Sequence, residues 1–221
     1  VNPPSTTLPA PLDVPDRRPD ESLFSYALKS GKKYWAFYKT GIKNIHANYK
    51  ARKAIIAAAS KSNSKSVRGL DEANAHTAPC SRAEFQLVNR AGYDLRRVPI
   101  FALLLLLLGE WTPLFVVFCT PIVPFTCRIP RQINKQIIAT EERRREAKRQ
   151  GTSSKWSWSS LRSDRHARYI KVDDALLKRD GKVKDLRPEE LRLACYEREI
   201  SILGRGDGEL RQELSKYLDT K

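Results

Sequence analysis

LLLLLLGEWTPLF, Leu103 to Phe115, sets one carboxylate, Glu110, inside an apolar run that extends from Val98 to Cys127 and carries no other formal charge. A carboxylate at the centre of a bilayer costs ~3 kcal/mol on insertion scales, so its presence there calls for a reason. The run's length and its six consecutive leucines favour lipid, and it reads as a membrane-embedded segment. A straight helix of that length would rise ~45 Å against a hydrocarbon thickness of ~30 Å. A single transmembrane helical segment is therefore expected to be kinked or broken, with Pro99, Pro113, Pro121 and Pro124 as the places. The soluble alternative is a buried core hairpin that turns at Gly109 to Pro113.

Outside the run the chain is strongly basic, with 41 Lys and Arg against 25 Asp and Glu and a formal charge of +16. That excess points to an acidic partner, either RNA or an anionic lipid surface. The four cysteines show no CxxC spacing and the three histidines are isolated, so neither a disulfide framework nor a metal site is expected. No nucleophile, acid–base pair or cofactor loop is evident, and catalysis and cofactors are not expected. The GRGDG stretch lacks the spacing and preceding strand of a phosphate loop. With no methionine in the chain, an N-terminal segment is expected to have been removed, as a cleaved organellar transit peptide would be.

Residues 1–22 hold six prolines among small and polar residues and read as a poorly packed tail. Residues 23–97 form a basic helical region. From Ser22 to Leu70 there is no acidic residue but eleven Lys and Arg, and Leu28, Trp35, Tyr38, Ile42, Ile45 and Tyr49 recur at helical spacing. Such a helix could lie on a membrane surface or pack on the rest of the protein with its lysines in water. Ser81 with Glu84 has the spacing of a capping box opening the next helix. After the run, residues 128–160 comprise a charged helix, with Arg143, Arg144, Arg145, Lys148 and Arg149 close to the bilayer, and a Ser-rich linker carrying Trp156 and Trp158. The cations could meet lipid headgroups or RNA phosphates, or simply form a solvated face, and the tryptophans could stack on bases or sit at the lipid interface.

Residues 161–221 read as a compact helical unit. Pro188, Glu189 and Glu190 suit a first helical turn, Gly204, Gly206 and Gly208 a loop, and Leu210, Leu214 and Leu218 one buried face. The twenty residues before the run hold four Lys and Arg and the twenty after it six, which weakly places the C-terminal part on the positive side.

The stretch RAEFQLVNRAGYDLRRVPIFALLLLLLGEWTPLFVVFCTPIVPF, Arg82 to Phe125, resembles the membrane segment of the leucine zipper and EF-hand containing transmembrane (Letm) family. LRPEELRLACYEREISILGRGDGELRQELSKYLDT, Leu186 to Thr220, is similar to the same family's C-terminal signature, in the same order along the chain. The resemblance spans roughly Leu23 to Asp219. It implies an all-α protein of the mitochondrial inner membrane with a helical, 14-3-3-like, ribosome-binding domain in the matrix, of which residues 161–221 are the C-terminal part. It also implies a link to potassium–proton or calcium–proton exchange, with Glu110, Pro99 and Pro113 at the family's membrane positions. Glu199 stands where the family has glycine, which is unfavourable if that residue must take a positive φ. Tyr217 replaces a usual tryptophan, and no EF-hand loop is present, so calcium sensing is not supported.

Two functions follow as expectations. In the first, the chain binds the mitochondrial ribosome, protein and rRNA, while anchored in inner-membrane lipid, and supports insertion of newly made proteins and mitochondrial homeostasis. In the second, Glu110 takes up and releases protons in cation exchange, which requires a homo-oligomer because one span cannot enclose a pathway. A stoichiometric role among inner-membrane assembly partners is the third reading.

Overall fold

A computed structural model describes residues 1–14, 19–20, 22–61, 70–75, 77–108, 123–149, 160–180 and 183–220. Among the described residues all regular structure is helical, as the all-α expectation requires: α1 (Leu23–Lys61), α2 (Glu72–Ala75), α3 (Arg82–Leu108), α4 (Pro130–Arg149), α5 (Ser160–Asp180), α6 (Pro188–Glu197) and α7 (Asp207–Asp219), with short 3-10 turns at Ser5–Thr7, Phe125–Cys127 and Val183–Asp185. The chain divides into two compact units that interleave along the sequence. The first comprises Val1–Pro3, Ile55–Val88 and Lys135–Lys221, and the second Pro4–Ala54 and Asn89–Asn134.

In the first unit the local signals produce the helix ends they encode. Ser81 N donates to Glu84 Oε2 at 2.8 Å while Glu84 N donates to Ser81 Oγ at 3.3 Å, the reciprocal capping box that starts α3. Pro188 opens α6, where its missing donor does no harm. α6 ends with Ile200 N donating to Cys195 O and Glu199 N to Tyr196 O, the paired bonds of a Schellman closure, and Glu199 sits at φ 62°. A left-handed glutamate costs roughly 1–2 kcal/mol. Glu199→Gly is therefore expected to stabilise the protein by about 1 kcal/mol, read as a rise in thermal midpoint, because the exposed Arg144–Glu199 pair at 3.6 Å that it removes contributes little.

α5 supplies two cores. Leu177 packs with Leu186, Leu191, Cys195, Leu210, Leu214 and Leu218 of the following elements. Val172, Ala175 and Leu176 pack instead with Phe85, Val88 and Cys80, residues that precede the apolar run. Burying each leucine contributes ~1.5–3 kcal/mol relative to exposure. The first residues are not the loose chain their prolines suggest. Val1 packs on the first core, its carbonyl accepts from Arg82 Nη1 at 3.0 Å, and Asn2 exchanges hydrogen bonds with Asp185 O and Arg187 N.

The second unit is built on α1, whose buried positions are Ser30, Phe37, Gly41 and Asn48. The helix is where periodicity puts it, but Leu28, Trp35, Ile42 and Tyr49 of the expected stripe are exposed, Trp35 at 73%, and only Tyr38 and Ile45 turn inward. Small residues decide this face. A Cβ on Gly41 would lie 2.7 Å from Cys127 Sγ, so the glycine admits the chain at 126–127, and Asn48 exchanges hydrogen bonds with Thr6 at 2.7 and 2.8 Å.

α3 continues through Pro99 to Leu108, so this proline does not break the segment as expected. Among the described residues no helix is long and apolar enough to cross a membrane. The two ends of the apolar run meet. Phe101, Val123 and Cys127 form one cluster against Tyr38 and Ile45. Asp94, buried on α3, accepts from Phe125 N at 2.6 Å and from Thr126 Oγ1 at 3.0 Å. Residues 109–122 of the run lie outside the described residues, and the expected single transmembrane segment is left unconfirmed.

Candidate functional site

The most densely bonded part of the first unit is a buried ionic cluster on α3, α5 and the end of α6. Arg82 grips Asp173 with two bonds, Nε to Oδ1 at 2.8 Å and Nη2 to Oδ2 at 3.0 Å. Arg198 donates to Asp173 Oδ2 at 2.7 Å and to Asp174 Oδ1 at 2.8 Å, and Gln86 Nε2 donates to Asp173 Oδ1 at 2.6 Å. Tyr169 Oη completes the chain by donating to Gln86 Oε1 at 2.7 Å. Burial opposes ionisation of Asp173, but the two guanidiniums outweigh it and hold the carboxyl down at about 2. Burial likewise opposes the charge on Arg198, and Asp173 with Asp174 overcomes it and raises that group. Two cations against two anions leave the cluster neutral. Its charges are matched inside the fold, and it ties α3, α5 and the end of α6 together.

Other arginines are also spent inside this unit. Arg179 donates to the carbonyls of Ala75, Ala78 and Cys80 at 2.6–2.9 Å, and Arg211 to those of Val183, Lys184 and Leu186 at 2.7–2.9 Å. These guanidiniums keep their charge while committing donors to the backbone of the fold.

The basic run on α4 is divided in the same way. Arg144 stacks 5.3 Å from the Tyr196 ring centroid, and Arg145 Nη2 donates to Ser201 Oγ at 3.3 Å. Glu141, which sequence reasoning passed over, is 4% exposed and accepts from Ile202 N at 2.9 Å and Ser201 Oγ at 2.8 Å, fastening α4 to the loop after α6. Arg143, Arg145 and Arg149 are exposed, and Lys148 lies on the same helix. Pro99 is exposed on α3. Glu110, Pro113, Trp156 and Trp158 lie outside the described residues, so no geometry bears on the exchange reading. Among the described residues no group of three or more His, Cys, Asp or Glu side chains could hold a metal ion.

Among the described residues the chain is all-helical, and the unit that holds the buried ion cluster carries exposed basic positions on α4. Residues 151–221 match the family model described as LETM1-like, RBD, so this part of the chain is similar to that domain. No curated protein and no solved structure matches the chain.

Proposed function

We propose that this is a mitochondrial inner-membrane protein whose Letm-type domain, facing the matrix, binds the mitochondrial ribosome and supports insertion of newly made proteins and mitochondrial homeostasis. The match of residues 151–221 to a ribosome-binding domain carries the reading. Charge supports it, because the +16 excess suits rRNA phosphates even after the internal arginines are set aside. Membrane attachment is supported by where apolar surface is left uncovered. Phe24, Leu28, Trp35 and Ile42 on α1 and Ile100, Leu103, Leu106 and Leu107 on α3 are exposed, all in the second unit, whereas the leucines of the first unit's core are buried. Patches of that kind mark lipid or partner contact.

Co-sedimentation of the full chain with mitochondrial ribosomes tests the function. Binding is expected to weaken at least ~10-fold between about 50 and 200 mM salt, with the slope falling by ~1 for each phosphate contact removed in an Arg143→Glu, Arg149→Glu variant. Absence of co-sedimentation at low salt would overturn the function. Binding indifferent to salt would overturn its electrostatic basis.

A further inference from the structure

We infer that the outer face of α1 from Phe24 to Tyr49 is a docking surface for anionic phospholipid, on which the helix lies in the plane of the membrane. The inference rests on the reading that the chain is attached to a membrane. It adds a contact separate from the apolar run, together with the headgroup chemistry that this contact selects.

Exposure defines the face. Leu28, Trp35, Ile42 and Tyr49 follow one another at intervals of seven residues and are 54%, 73%, 53% and 42% exposed, and Phe24, on the same line, is 79% exposed. Each heptad drifts only ~20° round an ideal helix, so the five side chains stay within a strip ~60° wide. The buried positions Ser30, Phe37, Gly41 and Asn48 lie ~120–160° round from Trp35. The strip is thus turned away from the packing of the second unit.

Charge defines the occupant. No Asp or Glu occurs between Ser22 and Leu70. Lys32, Lys39, Lys43 and Lys50 are exposed and fall ~40–80° from Trp35, all along one edge of the strip. Along the other edge Tyr38 and Ile45 turn into the cluster of Phe101 and Val123. An apolar strip bordered by cations suits an anionic bilayer surface: the apolar groups sink ~5–10 Å to the acyl boundary while the lysine stems carry their charges back to the phosphates. Trp35 and Tyr49 are the residue types that settle at that depth. The same charges oppose pairing with a second copy, which would set lysine rows side by side with no carboxylate between them. The second apolar row that a coiled-coil seam requires falls at Tyr38 and Ile45, which are turned inward. RNA supplies phosphates and stacking bases but no partner for the aliphatic Leu28 and Ile42.

The full chain is reconstituted into vesicles of phosphatidylcholine, alone or mixed with phosphatidylglycerol. A nitroxide is placed on Ile42→Cys within the strip, or on Ala47→Cys, which is exposed and ~140° round the helix from it. The unsubstituted chain, taken through the same labelling, is the blank for the native cysteines. In the anionic vesicles the label at 42 is expected to be shielded from a water-soluble nickel chelate and open to dissolved oxygen, and the label at 47 open to the chelate. Replacing Lys39 and Lys43 by glutamine in the Ile42→Cys chain is expected to cut the ratio of shielded to open label roughly 25-fold, about fivefold for each cation near an anionic surface. A chain that floats with the vesicles while its label at 42 stays open to the chelate overturns the docking and leaves membrane attachment standing. A chain that does not float removes the attachment and the docking with it. Equal shielding at 42 in neutral and anionic vesicles overturns the choice of anionic lipid. Dipolar broadening between labels at 42, lost on dilution with unlabelled chain, gives the strip to a second copy and overturns the inference, as does shielding that requires added RNA.

Discussion

Replacing Asp173 by alanine is expected to destabilise the first unit by about 3–5 kcal/mol, the penalty for leaving buried charge without its partner. Arg82 is 1% exposed and Arg198 6%, so neither guanidinium can recover water when its carboxylate is removed, and Asp174 alone cannot neutralise both. A loss of that size is a large share of the ~5–15 kcal/mol that holds a typical domain together. Denaturant unfolding of the full chain in lipid or detergent, followed by circular dichroism, measures it, and a loss below ~1 kcal/mol would contradict the geometry described above. Acid gives a second readout. Because the folded value of about 2 lies below the ordinary 3.8, the contribution of Asp173 is complete above pH 4 and is lost as pH falls toward 2. The substituted protein is expected to lack that part of the acid sensitivity.

Asp94→Ala is expected to act at the neck of the apolar run. The change leaves the Phe125 N–H and the buried Thr126 hydroxyl without their acceptor, and each orphaned group costs ~1–3 kcal/mol. Arg128, which reaches Tyr93 Oη at 3.0 Å and the Val123 carbonyl at 3.3 Å, would lose the support of the turn preceding it. Trypsin cleavage after Arg128 is expected to accelerate, while Asp94→Asn, which keeps one acceptor oxygen, gives a smaller effect. Equal cleavage of all three proteins would show that Asp94 does not hold the neck.

Local chemistry made some of this architecture readable and long-range chemistry hid the rest. The capping box at Ser81, the start at Pro188 and the Leu210, Leu214, Leu218 face depend on residues three or four apart, and the structure has each of them. For α1, spacing located an apolar stripe without saying whether protein or lipid covers it, and the small residues Ser30 and Gly41 took the inner face because they allow close approach. The arginines at 143–149 read as one patch, yet a helix turns about 100° per residue, so neighbours face different surroundings. Arg144 is half-buried against the Tyr196 ring while Arg143, Arg145 and Arg149 are exposed. The ion cluster left one faint mark, two adjacent aspartates in the otherwise core-forming stretch YIKVDDALL, and its partners at 82 and 198 were too distant in sequence to suggest themselves.

The 91-residue reach from Arg82 to Asp173 also bears on biogenesis. On the proposed mitochondrial location, a polypeptide imported from its N-terminus presents the leucine run well before Asp173 arrives, while half of the supporting unit has yet to follow. Closing so long a loop is slow and leaves apolar surface uncovered in the interval, so folding of the unit has to wait for its last helices.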